Sequence, residues 1–318
     1  MGALTVLITG AAGYVGRHSV AAARARGHAV IAVLRDASAA PESWRDDAGI
    51  TVIAGDLTDC PTLPAACASA DVVLHLAASL SGDATRQARD TLQATRSLLA
   101  ALPDGTRLVH MSSMAVYDMA HAEPGAMITE SSALLDAGAK ADAYATNKAA
   151  QERLVSDTAK TRGHGVTILR AGAVFGPDRL WNAHLGLALG PVLLRLAGRG
   201  EIPLCHISTC TGALIKAAEH PATGPINVLD EDLPTRQRYL ANLAGTPPLV
   251  LPLNWRWVMP LARLSATVLP RHRLPGLLRP EVLRARFLPL CYDNSRMRET
   301  LGLRQAKSFE ALMHEAQG

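Results

Sequence analysis

Leu4-Thr-Val-Leu-Ile-Thr9 runs straight into Gly10-Ala-Ala-Gly13-Tyr-Val-Gly16, and the reading of this stretch decides the fold. Six aliphatic and β-branched residues without polar alternation predict a strand buried on both faces, as in a parallel sheet. The three glycines spaced three apart predict a tight turn, and the alanine-rich residues 20–25 predict a helix behind it. Gly10 allows the turn out of the strand, Gly13 lets main-chain N–H groups approach a pyrophosphate, and Gly16 lets the helix sit close on the sheet. The N-terminus of that helix, with its unpaired N–H groups and the positive end of its dipole, favours an anion.

Working outward, strands are predicted at 29–34, 51–54, 72–76, 107–111 and 166–170, with helices near 85–101 and 142–161 between them. Such alternation of strand and helix predicts an α/β fold with a doubly wound parallel sheet. Residues 121–141 carry Gly, Pro and acids and read as a long loop. Past Gly176-Pro177 the texture changes: 178–200 reads as a helix-like Leu/Gly/Arg stretch, 202–207 and 225–229 as strands, and 211–219 as a helix. Between 246 and 290 eight prolines recur, which predicts only short helices. The division expected is a dinucleotide-binding domain at 1–177, joined by about 205–230, and a smaller, mostly helical C-terminal substrate lobe at 178–204 and 231–318.

Composition narrows the function. In 318 residues, 48% hydrophobic and 19% charged content is an ordinary globular balance. The net charge of +4 is small and the arginines are scattered, which argues against a nucleic-acid partner. Five cysteines, an odd number without metal-ligand spacing, read as reduced thiols, and no metal site is expected. The first strand starts at residue 4, leaving no room for a signal peptide, so the expected location is cytoplasmic. The longest apolar run, 257–269, is broken by Pro260 and Arg263 and is too short to span a bilayer.

A dinucleotide site needs a partner that moves a proton. Tyr144-Ala-Thr-Asn-Lys148 sets a phenol and an ammonium four apart, one turn apart on one helical face. The cation is expected to favour the phenolate and draw the tyrosine down towards working pH, and a drop of about three units requires roughly 4 kcal/mol. A hydroxyl to hold the substrate oxygen is expected from Ser112-Ser113, at the carboxyl edge of the sheet. Tyr117, four before His121, and Tyr14, inside the glycine turn, lack such a lysine.

The residues quoted so far, with Gly55-Asp56-Leu57, Leu74-His-Leu-Ala-Ala78, Val109-His-Met-Ser-Ser-Met-Ala-Val-Tyr117 and Leu169-Arg-Ala-Gly-Ala-Val-Phe-Gly-Pro177, resemble the extended short-chain dehydrogenase/reductase family, also called the NAD-dependent epimerase/dehydratase family. The likeness covers about 4–230, with an echo in Tyr292-Asp-Asn-Ser295. It implies a Rossmann sheet and a catalytic set of Ser113, Tyr144 and Lys148. It also implies a cofactor site made of Gly10, Gly13, Tyr14, Val15, Gly16, Arg35, Asp56, Leu57, Ala77 and Lys148. Asp56 is expected at the adenine and Lys148 at the nicotinamide ribose. The chain departs from the family pattern at Asn147, where a serine is common, at Ser208-Thr209, where an acidic pair is common, and near 90–93, where an asparagine is usual.

Arg35 at the end of the second strand favours NADP(H) over NAD(H), with Arg17 as a helper and Asp36 as the competing NAD-type ligand. Met114 and Ala115 stand where the family's dehydratases carry an Asp-Glu pair, and neither moves a proton, so dehydration is not expected. The reading favoured is an oxidoreductase that moves a hydride between NADP(H) and a ketone or secondary alcohol, the substrate being a keto-sugar nucleotide or a lipid- or steroid-like molecule. Alternatives are an NAD-dependent nucleotide-sugar epimerase and a dinucleotide-binding regulator without chemistry. Residues 246–290 hold seven arginines against Glu281 alone, which suits an anionic substrate or peripheral membrane contact. By analogy, the helices near 85–101 and 142–161 imply a homodimer.

Overall fold

The computed structural model describes residues 2–79, 84–245, 249–269, 274 and 276–318. Its centre is a parallel sheet of seven strands: β1 (Thr5–Thr9), β2 (Ala29–Leu34), β3 (Ile50–Ala54), β4 (Val72–His75), β5 (Arg107–Ser113), β7 (Gly165–Ala171) and β12 (Gly224–Val228). Between β5 and β7 lies the two-residue β6 (Met127–Ile128). The sheet order β12-β7-β5-β4-β1-β2-β3 reverses direction between β1 and β4, the place where doubly wound sheets open a ligand crevice at their carboxyl ends. Val6, Leu7 and Ile8 are fully buried, Val6 and Ile8 in the core on one face of the sheet and Leu7 in that on the other, as the uninterrupted apolar run predicts.

Helices α1 (Tyr14–Ala25) and α5 (Ile207–Glu219) cover one face; α2 (Leu63–Ala68), α3 (Ala84–Ala101) and α4 (Ala143–Arg162) belong to the other. Helix α4 opens on Asp142, whose carboxylate accepts from the Tyr144 N–H at 3.1 Å, and ends on Gly163 in the left-handed region.

The remaining strands are β8 (Ala173–Phe175), β9 (Leu187–Leu189), β10 (Val192–Arg195), β11 (Leu204–His206), β13 (Leu249–Pro252) and β14 (Cys291–Tyr292). With them go α6 (Arg236–Asn242), α7 (Trp255–Val268), α8 (Pro280–Phe287), α9 (Ser295–Leu301) and α10 (Phe309–Gln317). Here two expectations are corrected. The helix-like stretch at 178–200 holds the antiparallel pair β9 and β10, which β13 extends into a three-stranded sheet. Leu-x-Leu alternation and two glycines at positive φ (Gly186 and Gly190) overrule helical spacing; a Cβ on Gly186 would lie 2.0 Å from the Leu194 carbonyl oxygen. Nor are the helices of the proline-rich part all short: α7 runs 14 residues through Pro260. Pro247, Pro248, Pro270, Pro275, Arg271 and Arg273 lie outside the described residues.

Candidate active site

A single cleft of about 1400 Å³ runs over the carboxyl ends of β1, β2, β4 and β5 into the C-terminal elements. Ser113, Tyr144 and Lys148 line it together with Gly10, Gly13, Tyr14, Val15, Gly16, Arg35, Asp56, Leu57 and Ala77. These twelve residues expected at the site from the sequence therefore line one cavity.

The cradle is built from the glycine turn. Gly10 has φ of +69°, and the Gly13 N–H donates to its carbonyl at 3.0 Å. A Cβ on Gly16 would come within 2.2 Å of the Gly10 carbonyl oxygen, so only glycine lets α1 sit this low. The first turn of α1 carries no acid, and its N-terminus opens into the cleft at Gly13 to Gly16. This arrangement fits a pyrophosphate, because N–H donors and the helix dipole meet the anion without a competing carboxylate.

At the far end, Arg35 is exposed and lines the cleft beyond the buried Leu34. Asp36 instead caps the next turn, its carboxylate accepting from the Ser38 N–H at 2.9 Å, and it is held below the usual carboxylate range by that bond. Arg17 turns away towards Asp178, at 3.9 Å, and over the Tyr14 ring. Asp56 accepts from the N–H and hydroxyl of Thr58, at 2.9 and 2.7 Å, which depresses its pKa.

The strand pleat sorts the two serines. Ser112 donates to Glu152, which pairs with Arg170 in the interior. Ser113, one residue on, lines the cleft with Tyr144, and its hydroxyl accepts from the Ala115 N–H at 3.2 Å. Tyr144 is 37% exposed and lines the cleft. Burial of its hydroxyl raises the phenol pKa, while the Ser113 hydroxyl and then the Arg179 charge pull it down. The expectation that Lys148 draws the phenol down is therefore corrected. The Lys148 ammonium is turned to the Met111 carbonyl at 2.8 Å and to Oε1 of Gln151 at 2.9 Å. Burial lowers its own pKa to about 8, against the upward pull of Glu152.

Tyr117 has a structural role. Its buried hydroxyl accepts from Arg170 at 2.8 Å and donates to Asn227 at 2.6 Å, and burial pushes its pKa up to about 12.

Several site residues were not found from the sequence. Gln151, three after Lys148, holds the ammonium with its oxygen; its amide nitrogen reaches the Ala77 carbonyl at 3.1 Å and Thr95 at 2.9 Å. Helical spacing alone puts Gln151 beside Lys148 and was the available signal. His75, pushed down to about 3 by burial and then by Lys148, stays neutral between Thr9 and Thr95. Arg179 stacks over Tyr14 at 5.3 Å. His184 and Arg286 line the cleft, and Arg236 ties the His184 and Arg199 loops to the end of α8 by donating to the carbonyls of His184, Arg199 and Arg286. No local pattern marks these three, because they meet only through the fold.

The model of the NAD dependent epimerase/dehydratase family matches residues 6–228. A 3-diazoavenalumate denitrifying reductase of a Streptomyces species is 32% identical over 267 residues, covering 78% of this chain and 84% of the relative. A 4-hydroxy-2-methyl-3-oxo-4-farnesyl-3,4-dihydroquinoline-1-oxide ketoreductase of Stigmatella aurantiaca is 29% identical over 252 residues, covering 76% and 72%. Among solved structures, the UDP-glucuronic acid 4-epimerase from Bacillus cereus in complex with NAD superposes with a TM-score of 0.70 at 18% identity, covering 98% of this chain and 97% of that one.

Proposed function

The chain belongs to the NAD-dependent epimerase/dehydratase family, and from that premise we propose that it reduces the ketone of an apolar small molecule with NADPH. The observation that carries this reading is that Ser113, Tyr144 and Lys148 line the same cleft as the glycine cradle. A nicotinamide nucleotide bound there supplies the hydride. Tyr144 gives the carbonyl oxygen its proton, and the Ser113 hydroxyl holds that oxygen in place. Lys148 and Gln151 keep a positive charge under the site.

Arg35, exposed on the cleft while Asp36 is engaged with Ser38, supports NADPH over NADH. Met114, Met119, Leu135, Val282 and Ala285 in the outer cleft suit an apolar substrate, in keeping with the farnesylated ketone named for the Stigmatella relative. Ser113, Tyr144 and Lys148 are the catalytic residues in this proposal, with the remaining cleft residues named above holding the nucleotide.

Mass spectrometry of small molecules released from the purified protein, together with NADPH oxidation against prenylated and aromatic ketones, tests the reading. Turnover of such ketones with NADPH is the expected result. A tightly retained NAD and no net oxidation of added NADPH would move the assignment to an epimerase.

A further inference from the structure

Helix α7 turns only part of its surface to the protein. Trp255 and Ala262 are buried, and Val258 and Met259 pack on a cluster that includes Leu283 and Phe287. On the outside, Trp257, Leu261, Leu264 and Val268 are 77%, 56%, 63% and 73% exposed. Their spacing of four, three and four places them in one stripe along the helix. So long an apolar stripe facing water marks a contact surface.

The neighbouring sheet adds to it. In β9, β10 and β13 the paired residues form two rows, Leu187–Leu194–Leu251 and Leu189–Val192–Leu249, and partners in a row share one face. The outer leucines of both rows are exposed. Leu194 also packs on the cluster beneath α7, and β13 leads into α7 two residues later, so sheet and helix adjoin.

We propose that this apolar surface, centred on the outer stripe of α7, seats the protein on an anionic lipid bilayer. Charge decides among the occupants. Exposed Arg256 and Arg263 lie beside the stripe, and residues 246–290 contain seven arginines against the single acid Glu281. Such a face complements lipid phosphates, with the arginine stems lying along the apolar surface and the guanidinium groups reaching the headgroups. Pairing of the same patch in two copies would instead set one arginine-bearing face against another. Trp257 stands near the helix start, where an indole ring suits the headgroup boundary. At 14 residues α7 is about 21 Å long, and no described helix is long and apolar enough to cross a membrane, so α7 lies in the interface plane. Helix α8, packed against α7, lines the cleft with Val282 and Ala285, so a seated α7 brings the cleft wall to the lipid. That last point rests on the reading of an apolar substrate; the docking does not.

Flotation of the purified full-length protein with vesicles tests this without any turnover. The protein is expected to rise with phosphatidylcholine vesicles containing phosphatidylglycerol, less so at high salt, and to stay behind with phosphatidylcholine alone. The exposed-residue variant Trp257→Ser/Leu261→Ser/Leu264→Ser is expected to lose binding by about tenfold or more with unchanged circular dichroism. Arg256→Glu/Arg263→Glu is expected to lose the preference for anionic lipid. Failure of the wild type to float with anionic vesicles overturns the proposal. So does a wild-type dimer that the triple variant dissolves with no lipid binding, because a second copy then covers the stripe.

Discussion

The ammonium of Lys148 lies 2.9 Å from the side-chain oxygen of Gln151, one turn further along α4, and is held there rather than beside the phenol of Tyr144. Gln151 is itself fixed from three sides, by Thr95, His75 and the carbonyl of Ala77, so the position of the charge under the cleft is set by the interior of the sheet. A buried amide oxygen aimed at a cation favours its charged form, against the burial that holds Lys148 at about 8.

That balance can be read in a pH profile. The turnover number of the wild type is expected to fall above an apparent pKa near 8, as Lys148 loses its proton. Gln151→Leu removes the acceptor and is expected to move this limb to lower pH; Gln151→Glu is expected to move it up. A limb that stays put in both variants would remove Gln151 from the positioning of Lys148.

Tyr144→Phe keeps the ring and loses the proton donor. Turnover is expected to fall by about 10²- to 10⁴-fold while nucleotide binding, followed by fluorescence titration, changes little. Retention of full turnover would eliminate the proton-transfer role.

Arg35→Ala is expected to raise the KM for NADPH by roughly tenfold to a hundredfold, the size of one charge-assisted hydrogen bond, and to leave that for NADH nearly unchanged. Equal effects on both nucleotides would show that Arg35 does not meet the 2′-phosphate.

Asp230 affects stability through protonation. It is buried beside Thr209 and the His206 N–H, and burial pushes its pKa up to about 7. The folded protein therefore keeps a proton that the unfolded chain releases near ~3.9, and stability is lost as pH rises between those two values. The ceiling on that loss is about 4 kcal/mol. Asp230→Asn is expected to flatten the dependence; urea unfolding at about pH 5 and about pH 8 measures it. An unchanged slope would mean the carboxyl is ionised throughout.

Arg236, 1% exposed, donates to three main-chain carbonyls. Arg236→Leu leaves those acceptors unpaired, at roughly 1–3 kcal/mol for each buried group. A lowered Tm and a raised KM for substrate are expected, because His184 and Arg286 lose their tether. A variant with wild-type Tm would refute the tethering role.

The sequence by itself determined the parallel sheet, the glycine cradle at its first turn, and the pairing of Tyr144 with Lys148 on one helical face. These depend on periodicity and on backbone conformations that only glycine adopts freely, both of which are local properties of the chain. The same local reasoning failed at 178–200, where leucines at strand and helix spacing coincide and the pairing with β13 chose the strand. Only the tertiary structure decided that Lys148 answers to Gln151, that Ser112 is taken up by Glu152, and that Asp36 is engaged away from the cleft. Each of these depends on which groups meet across the sheet and which lose water there. Residues as far apart in the chain as His75 and Gln151 meet only when strands pack, and no short window of sequence records that meeting.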